Sequence, residues 1–240
     1  MRDAVVAAPS LAAMYVSHLG LVPYGRALDL QRAVACARIS GEIEQDVLLL
    51  LEHPPVVTLG RSSKAKNLVA SPALLAARGV ELFEAERGGD VTFHGPGQLV
   101  GYPIVNLREH KQDLHWYLRQ VEEVLIRALR VIGIASERSE GRTGVWTEGR
   151  KIASIGVHAR DWVTWHGFAL NVSTDLSYFD LMVPCGLTGV TMTSVQKELG
   201  EGAPTLATVA DVVAASFGEV FSRAPAPLEA DDLTAMMGGV

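Results

Sequence analysis

Cysteine is nearly missing from this chain. Cys36 and Cys185 are the only two among 240 residues, too few to staple a fold of this length, which points to a reducing compartment where a free thiol stays available. Long apolar runs are missing as well: no stretch approaches the roughly 20 consecutive apolar residues of a membrane-spanning helix. The opening segment MRDAVVAAPSLAAMYV imitates a signal peptide, but Asp3 cancels Arg2 and Pro9 interrupts the apolar stretch, so it reads as part of the protein. Runs of Lys and Arg are absent and the formal net charge is -6, which argues against binding the phosphate backbone of nucleic acid. Neither a G-x-G-x-x-G fingerprint nor a G-x-x-x-x-G-K-[ST] phosphate loop occurs. The seven histidines show no metal spacing; His110 and His115, five apart near a helix start, would face different ways. These absences lead to the expectation of a soluble, cytoplasmic protein with no membrane or nucleic-acid partner, no nucleotide and no metal.

What is present suits an ordinary core, with 48% hydrophobic and 20% charged residues, and one domain over 1–240 is expected. Its core would span about 19–222, followed by a loose tail over 223–240. Helical spacing of Ala27, Leu28, Leu30, Ala33 and Val34 predicts a helix over 24–40, and the run Val47 to Leu51 predicts a buried strand. Pro54-Pro55 breaks that strand before Val56 to Leu59 resume it, and Gly60 to Ser63 follow as a loop. Ser71-Pro72 opens a short helix ending near Gly79, and Val80 to Phe83 reads as a strand. RGGDVTFHGPGQ (87–98) is loop chemistry wrapped around a short extended piece, and 99–107 is strand-like. Leu114, Leu118, Val121, Leu125, Leu129 and Ile132 mark one amphipathic helix. A hairpin over 145–157 turns at Glu148-Gly149 and leads into a further strand over 162–172. Residues 178–187 read as a loop, Thr193 and Gln196 as a capping box for a helix through Leu199, and 205–222 as a last helix. Strands and helices without strict alternation predict an α+β fold, a mixed sheet flanked by helices.

The chemistry has few candidates. VPCGLTG sets Cys185 between a proline and a glycine, a loop that suits a nucleophile, although a free cysteine is by itself more often a small buried hydrophobe. Cys36, between Ala35 and Ala37 on a helix, fits that buried role better. By position alone Lys151, two residues past a turn, is a solvated strand-end lysine. His94 is by itself a loop histidine, and Trp162, Trp165 and Phe168 are sheet and core aromatics.

The segments LGLVPYGRALDLQ, EHPPVVTLGRSS, RGGDVTFHGPGQLVGYPIVNL, TGVWTEGRKIASIGVH, HGFALNV and PCGLTGVTMTSVQKELG, taken together and in this order, resemble the lipoyl(octanoyl) transferase family of lipoate biosynthesis. HGPGQ, K-I-A-S-I-G, H-G-F-A-L-N-V and P-C-G are specific as a set, and the resemblance runs from about Leu19 to Gly200. It implies the fold of biotin and lipoate protein ligases and an acyltransferase without cofactor or metal. It also implies a Cys/Lys dyad, here Cys185 and Lys151. The matching substrate positions are Arg87, Gly88, Gly89, Asp90, Val91, Thr92, Phe93 and His94, with Ser154, Ile155, Gly156, Gly167, Phe168 and Ala169. Asp90 and Phe93 stand where the family commonly has Gln and Tyr. The implied partners are octanoyl-acyl carrier protein as donor and, as acceptors, lipoyl domains of 2-oxoacid dehydrogenases and the glycine cleavage H protein.

A thioester exchange onto Cys185 followed by aminolysis needs no ATP, which sets this reading apart from an ATP-dependent ligase on the same fold and from an inactive acyl-binding domain. An ammonium at Lys151 would favour the Cys185 thiolate. Backbone amides at Gly186, Gly88, Gly89 or Gly95 are candidate oxyanion donors. Gly156, Gly167 and Ala169 are small enough to leave a slot for the acyl chain. Both implied protein partners are acidic, so a basic patch is required on a chain of net charge -6. Arg61, Lys64 and Lys66 form one such group and Arg138, Arg142 and Arg150 a second, the first being the expected docking site.

Overall fold

The computed structural model describes residues 11–183 and 189–237. The opening segment 1–10 and Cys185, within 184–188, lie outside the described residues. In chain order the elements are β1 (Ala12–Leu21), α1 (Tyr24–Ser40), β2 (Asp46–Glu52), β3 (Val56–Leu59), α2 (Pro72–Ala77), β4 (Glu81–Glu84), β5 (Val91–His94), β6 (Gln98–Ile104) and α3 (Leu114–Val131). They continue as β7 (Glu137–Ser139), β8 (Arg142–Thr147), β9 (Arg150–Arg160), β10 (Val163–Asn171), α4 (Val195–Leu199), α5 (Leu206–Phe221), β11 (Arg223–Pro227) and α6 (Ala230–Met236). Eight strands form one mixed sheet in the order β11-β1-β2-β6-β10-β9-β8-β7, and three form a second in the order β4-β3-β5. This is the α+β architecture expected from the sequence, and no single helix among the described residues is long and apolar enough to cross a membrane.

The unbroken apolar run of β2 follows from its central place, where both faces are covered. Val47, Leu49 and Leu51 pack into the cluster with α1, while Leu48 and Leu50 pack into the opposite cluster with α3 and α5. The pair Pro54-Pro55 does more than interrupt this strand. Because β2 belongs to the large sheet and β3 to the small one, the prolines mark where the chain leaves one sheet to found the other. The small sheet carries its own apolar cluster, in which Val57, Val91 and Phe93 meet Phe179 and Leu181. The helix over 114–132 is present, its N-terminus capped by Asp113, whose side chain accepts from the Trp116 amide.

Four expectations are corrected. Residues after Arg223 are no loose tail: β11 pairs in parallel with β1, and Leu233 of α6 is fully buried. The prolines that made this stretch look unstructured, Pro225 and Pro227, are tolerated because β11 is an edge strand. The folded core also begins before Leu19, since β1 starts at Ala12, and β7 is a short strand that periodicity could not show. The cap of α4 is Ser194, accepting from the Lys197 amide, because the Thr193 hydroxyl is drawn off to Glu198. Finally, Cys36 is exposed: its neighbours Val34, Ala35 and Ala37 take the buried face of α1.

One buried carboxylate joins the distant ends of the chain. Asp46 accepts from Arg38 at 3.3 Å, His110 at 2.9 Å, Arg223 at 3.1 Å and the Asn106 amide at 3.0 Å. Burial pushes its carboxyl up, but the bonds from His110 and Asn106 and the charge of Arg38 outweigh this and hold it below its usual value. A carboxylate with a depressed folded pKa stabilises at neutral pH and loses that contribution only as pH falls below the usual carboxylate range. Asp46→Asn is expected to lower the stability measured by urea unfolding at pH 7 by about 2 kcal/mol, because it removes a buried charge that Arg38 and Arg223 share and leaves them only the more exposed Glu109.

Candidate active site

A cavity of about 240 Å³ lies between the two sheets. Its walls are Arg87, Gly89, Asp90, Thr92 and His94 from the segment leading into β5, Ser154 to Gly156 of β9, and His166 to Ala169 of β10. Tyr24 of α1, Tyr102 of β6 and the turn Gly141 to Thr143 complete it. Most of the substrate positions expected from the sequence therefore share one space. Gly88, Val91 and Phe93 do not line it. Gly88 backs the wall by donating its amide to the Val157 carbonyl at 2.9 Å, while Val91 and Phe93 point into the small sheet's own cluster, where Phe93 stacks on Tyr178 at 4.6 Å.

The two glycines expected to leave an acyl slot serve a different end. A methyl group at Gly156 would meet the Gly88 carbonyl at 2.8 Å, and one at Gly167 would meet the Gly101 carbonyl at 2.2 Å and Pro103 at 2.5 Å. Their missing side chains admit neighbouring backbone, so added bulk would push the walls apart rather than shorten a slot. The apolar lining is supplied instead by Ile155, Phe168 and Ala169.

The opposite wall is polar and built in layers. Arg87 is buried, with its guanidinium donating to Thr58 Oγ1 at 2.7 Å and to the Thr58 carbonyl at 2.8 Å, so β3 aims it. Asp90 is tied to its own chain: it accepts from Asn67 Nδ2 at 2.5 Å and from the amides of Lys64 at 3.4 Å and Val91 at 2.8 Å. This gives a structural account of an aspartate where Gln is common, since a carboxylate can accept all three bonds. His166, at φ 56, holds a left-handed backbone that is unusual for a side-chain-bearing residue. Its amide is satisfied by the buried Gln31 side chain at 2.9 Å. Glu86 draws α1 and β10 together through Arg32, 2.9 Å away, and the Trp165 indole at 3.1 Å. Contact with His166 and the bonds from Arg32 and Trp165 hold the Glu86 carboxyl far below its usual value against the effect of burial.

A buried polar chain then runs from the cavity to Lys151. The Gln98 amide nitrogen donates to the Phe93 carbonyl at 3.2 Å and to Asn171 Oδ1 at 2.9 Å. Its oxygen must therefore be what faces His94 Nδ1 at 2.8 Å, which puts the ring proton on Nδ1 and leaves Nε2 as an acceptor. Asn171 Nδ2 donates to the Thr193 carbonyl at 3.0 Å, and the Thr193 amide donates to the Lys151 carbonyl at 2.9 Å. The Lys151 amide in turn donates to Thr191 at 2.8 Å. Lys151 is not the solvated strand-end residue that position alone suggested: it is 1% exposed, with Nζ 5.2 Å from the Trp146 ring centre. Trp165 and Phe168 are buried as expected, whereas Trp162 is partly exposed on a turn at φ 64.

Sequence reading overlooked Tyr24, Tyr102, His166, Gln98 and Asn171. Gln98 and Asn171 sit inside the quoted HGPGQ and HGFALNV segments, and a polar residue between apolar strand neighbours was their available signal. Burial pushes the pKa of His53 down to about 4, and likewise keeps His94, His158 and His166 below the ordinary histidine value.

These geometries have counterparts in known proteins. Residues 23–218 match the family model described as the lipoyl protein ligase A/B catalytic domain. An octanoyltransferase of Koribacter versatilis is 54% identical over 87% of this chain and 84% of its own length. One from Acidobacterium capsulatum is 51% identical over 86% and 89%, and one from Chloroflexus aurantiacus is 50% identical over 88% and 95%. Among solved structures, a bipartite lipoate protein ligase from Thermoplasma acidophilum, described with its E2 lipoyl domain, superimposes with a TM-score of 0.74 at 15% identity. It covers 95% of this chain and 91% of its own. A lipoate-protein ligase A bound with ATP gives 0.72 at 14% identity over 95% and 93%; at such identities the likeness is one of fold.

Histidines whose folded pKa is depressed are protonated more readily in the unfolded chain, so stability falls as pH drops below about 6.5. His53 alone, between 6.5 and about 4, accounts for about 3 kcal/mol at roughly 1.4 kcal/mol per pH unit. Urea unfolding at pH 7, 6 and 5 is expected to give steadily decreasing stability, and nitrogen-15 NMR is expected to show His94 as the neutral Nδ1–H tautomer throughout. A protonated His94 at pH 5 would contradict the assignment.

Proposed function

We propose, from the premise that this chain belongs to the lipoyl protein ligase A/B catalytic-domain family, that it is an octanoyltransferase of lipoate biosynthesis working through a covalent thioester. Its relatives at 50% identity or more over most of their length carry that activity in their names. The donor in this reading is octanoyl-acyl carrier protein and the acceptor is the lysine of a lipoyl domain. Cys185 and Lys151 form the dyad.

The observation that carries the reading is the surroundings of Lys151. A lysine buried to this degree on a central strand is rare without a task. The segment that follows Cys185 in the chain bonds directly to the Lys151 backbone through Thr191 and Thr193. The residues before Cys185 are fixed as well, since the Val183 amide donates to the Asn67 carbonyl at 2.8 Å. Val183 and Thr191, which flank Cys185 in the sequence, are thus both anchored, the latter on Lys151 itself.

In the first step the Cys185 thiolate attacks the thioester carbonyl, a new carbon–sulfur bond forms, and the donor's carbon–sulfur bond breaks. The departing donor thiolate takes up a proton from Lys151, which becomes neutral. One thioester replaces another, so no ATP is consumed. In the second step the acceptor amine attacks, its nitrogen–carbon bond forms, and the bond to Cys185 breaks. The proton released by the amine returns to Lys151, and an amide in place of a thioester drives the reaction forward. Ile155, Phe168 and Ala169 offer the acyl chain an apolar wall, at about 0.8 kcal/mol per buried methylene. One methylene more or less changes selectivity only about 10 to 200-fold, so an octanoyl preference is expected to be leaky.

Intact-protein mass spectrometry after mixing with octanoyl-acyl carrier protein, without ATP, is expected to show one added octanoyl group mapping to Cys185. Cys185→Ser should abolish it, and Lys151→Met should slow it by about 10²–10⁴-fold. Cys36→Ser should acylate at the wild-type rate. An absolute requirement for ATP, or a label retained after Cys185→Ser, would reject the mechanism.

A further inference from the structure

Arginines over much of this surface are occupied by carboxylates. Arg32 holds Glu86, Arg138 holds Glu122 and Glu123, and Arg150 holds Glu148 and Glu198. Two of the three cations in the second basic group are therefore neutralised within the fold. The group between β3 and α2 differs: Arg61, Lys64 and Lys66 are all exposed, and among the described residues no carboxylate lies within ion-pair reach of them.

The backbone that carries these cations is bonded to the cavity wall. The Arg61 amide donates to the Arg87 carbonyl and the Ser62 amide to the Gly89 carbonyl, both at 3.0 Å. Asp90 fixes the other end through Lys64 and Asn67, and Asn67 in turn receives the Val183 amide. The Asp90 carboxylate is thus committed to holding the loop's frame. Three cationic side chains are presented outward from a rigid support that touches both the cavity and the residues preceding Cys185. Across the mouth, Arg142 adds a further exposed cation.

We infer that the Arg61–Lys66 loop is the docking surface for the acidic carrier protein that delivers the acyl group, and that the acceptor protein approaches elsewhere. The inference rests on the transferase reading above and specifies which of its two substrates the loop serves. Both proteins are acidic, so it is the charge of the group each brings to the cavity that decides between them. A carrier's acyl arm is joined through an anionic phosphodiester, which a cationic rim attracts along with the acidic protein surface behind it. The acceptor's lysine arrives as an ammonium, which the same rim repels. A chain with a net charge of -6 needs such a local exception to bind an acidic donor at all.

The test is the double variant Lys64→Glu/Lys66→Glu in the full chain, with the rate of Cys185 acylation followed against donor concentration and the rate of amide formation against acceptor concentration. Three titrations are compared: octanoyl-acyl carrier protein, octanoyl-pantetheine as a small uncharged thioester, and the lipoyl-domain acceptor. The expected result is a KM for the carrier raised about tenfold or more at low salt, shrinking to about twofold near 0.5 M salt as the charges are screened. The rate with octanoyl-pantetheine should be unchanged, which also reports that the variant is folded, and the KM for the acceptor should not rise. An unchanged carrier KM at low salt overturns the proposal, as does a rise confined to the acceptor. If the wild-type protein is acylated by neither thioester, the transferase reading itself has failed and this proposal falls with it.

Discussion

The architecture around the cavity depends on a set of buried amides bonded to one another in a chain. Gln98 spends its nitrogen on Phe93 and Asn171 and its oxygen on His94; Asn171 spends its nitrogen on Thr193; Thr193 spends its amide on Lys151. In an interior shielded from water, each of these bonds left unmade costs about 1–3 kcal/mol. The segments leading into β6 and following β10, together with the return to β9, consequently have one mutual arrangement in which every group is satisfied. The tautomer of His94 and the seat of Lys151 are consequences of that arrangement.

The cavity itself follows from dividing the strands between two sheets. A proline pair ends β2 and releases β3 into the small sheet, whose aromatic cluster gives it independent support. The segment between β4 and β5 must then cross back over the large sheet, bringing Arg87 and Gly88 against β9. Glycines at 156 and 167 allow this because backbone oxygens occupy the positions that side chains would fill. The apolar wall thereby comes from β9 and β10 of the large sheet, while Arg87 and Asp90 of the polar wall come from the connection into β5.

Electrostatics is managed by the same division. Inside, the histidines near the cavity are kept neutral by burial, so the charges of the wall are those of Arg87, Asp90 and Arg142. At the far end of the large sheet, Asp46 gathers Arg38, His110 and Arg223 and so closes β11 onto the structure. Outside, carboxylates neutralise Arg32, Arg138 and Arg150, whereas the loop after β3 keeps three exposed cations close together in the chain.

The alternation of apolar residues, the prolines and glycines, and the caps were enough to read most elements, because local sterics and burial set them. The helix over 114–132, the hairpin turning at Glu148-Gly149, the short strand inside 87–98 and the mixed α+β character are all of this kind. The resemblance carried by the HGPGQ, KIASIG and HGFALNV segments indicated residues that the fold gathers around one cavity. Pairing between distant segments was not legible. β11 is a short proline-bearing edge strand held by its parallel pairing with β1, which itself pairs with β2. Gln98 and Asn171 looked like ordinary polar residues until the sheet order set β6 beside β10. Lys151 read as solvated because sequence records its distance from a turn, whereas its burial goes with the irregular segment from Thr191 to Thr193 that bonds to its backbone. Local sequence therefore fixed conformation, and long-range hydrogen bonding, which no single segment encodes, decided which polar groups are buried and what they face.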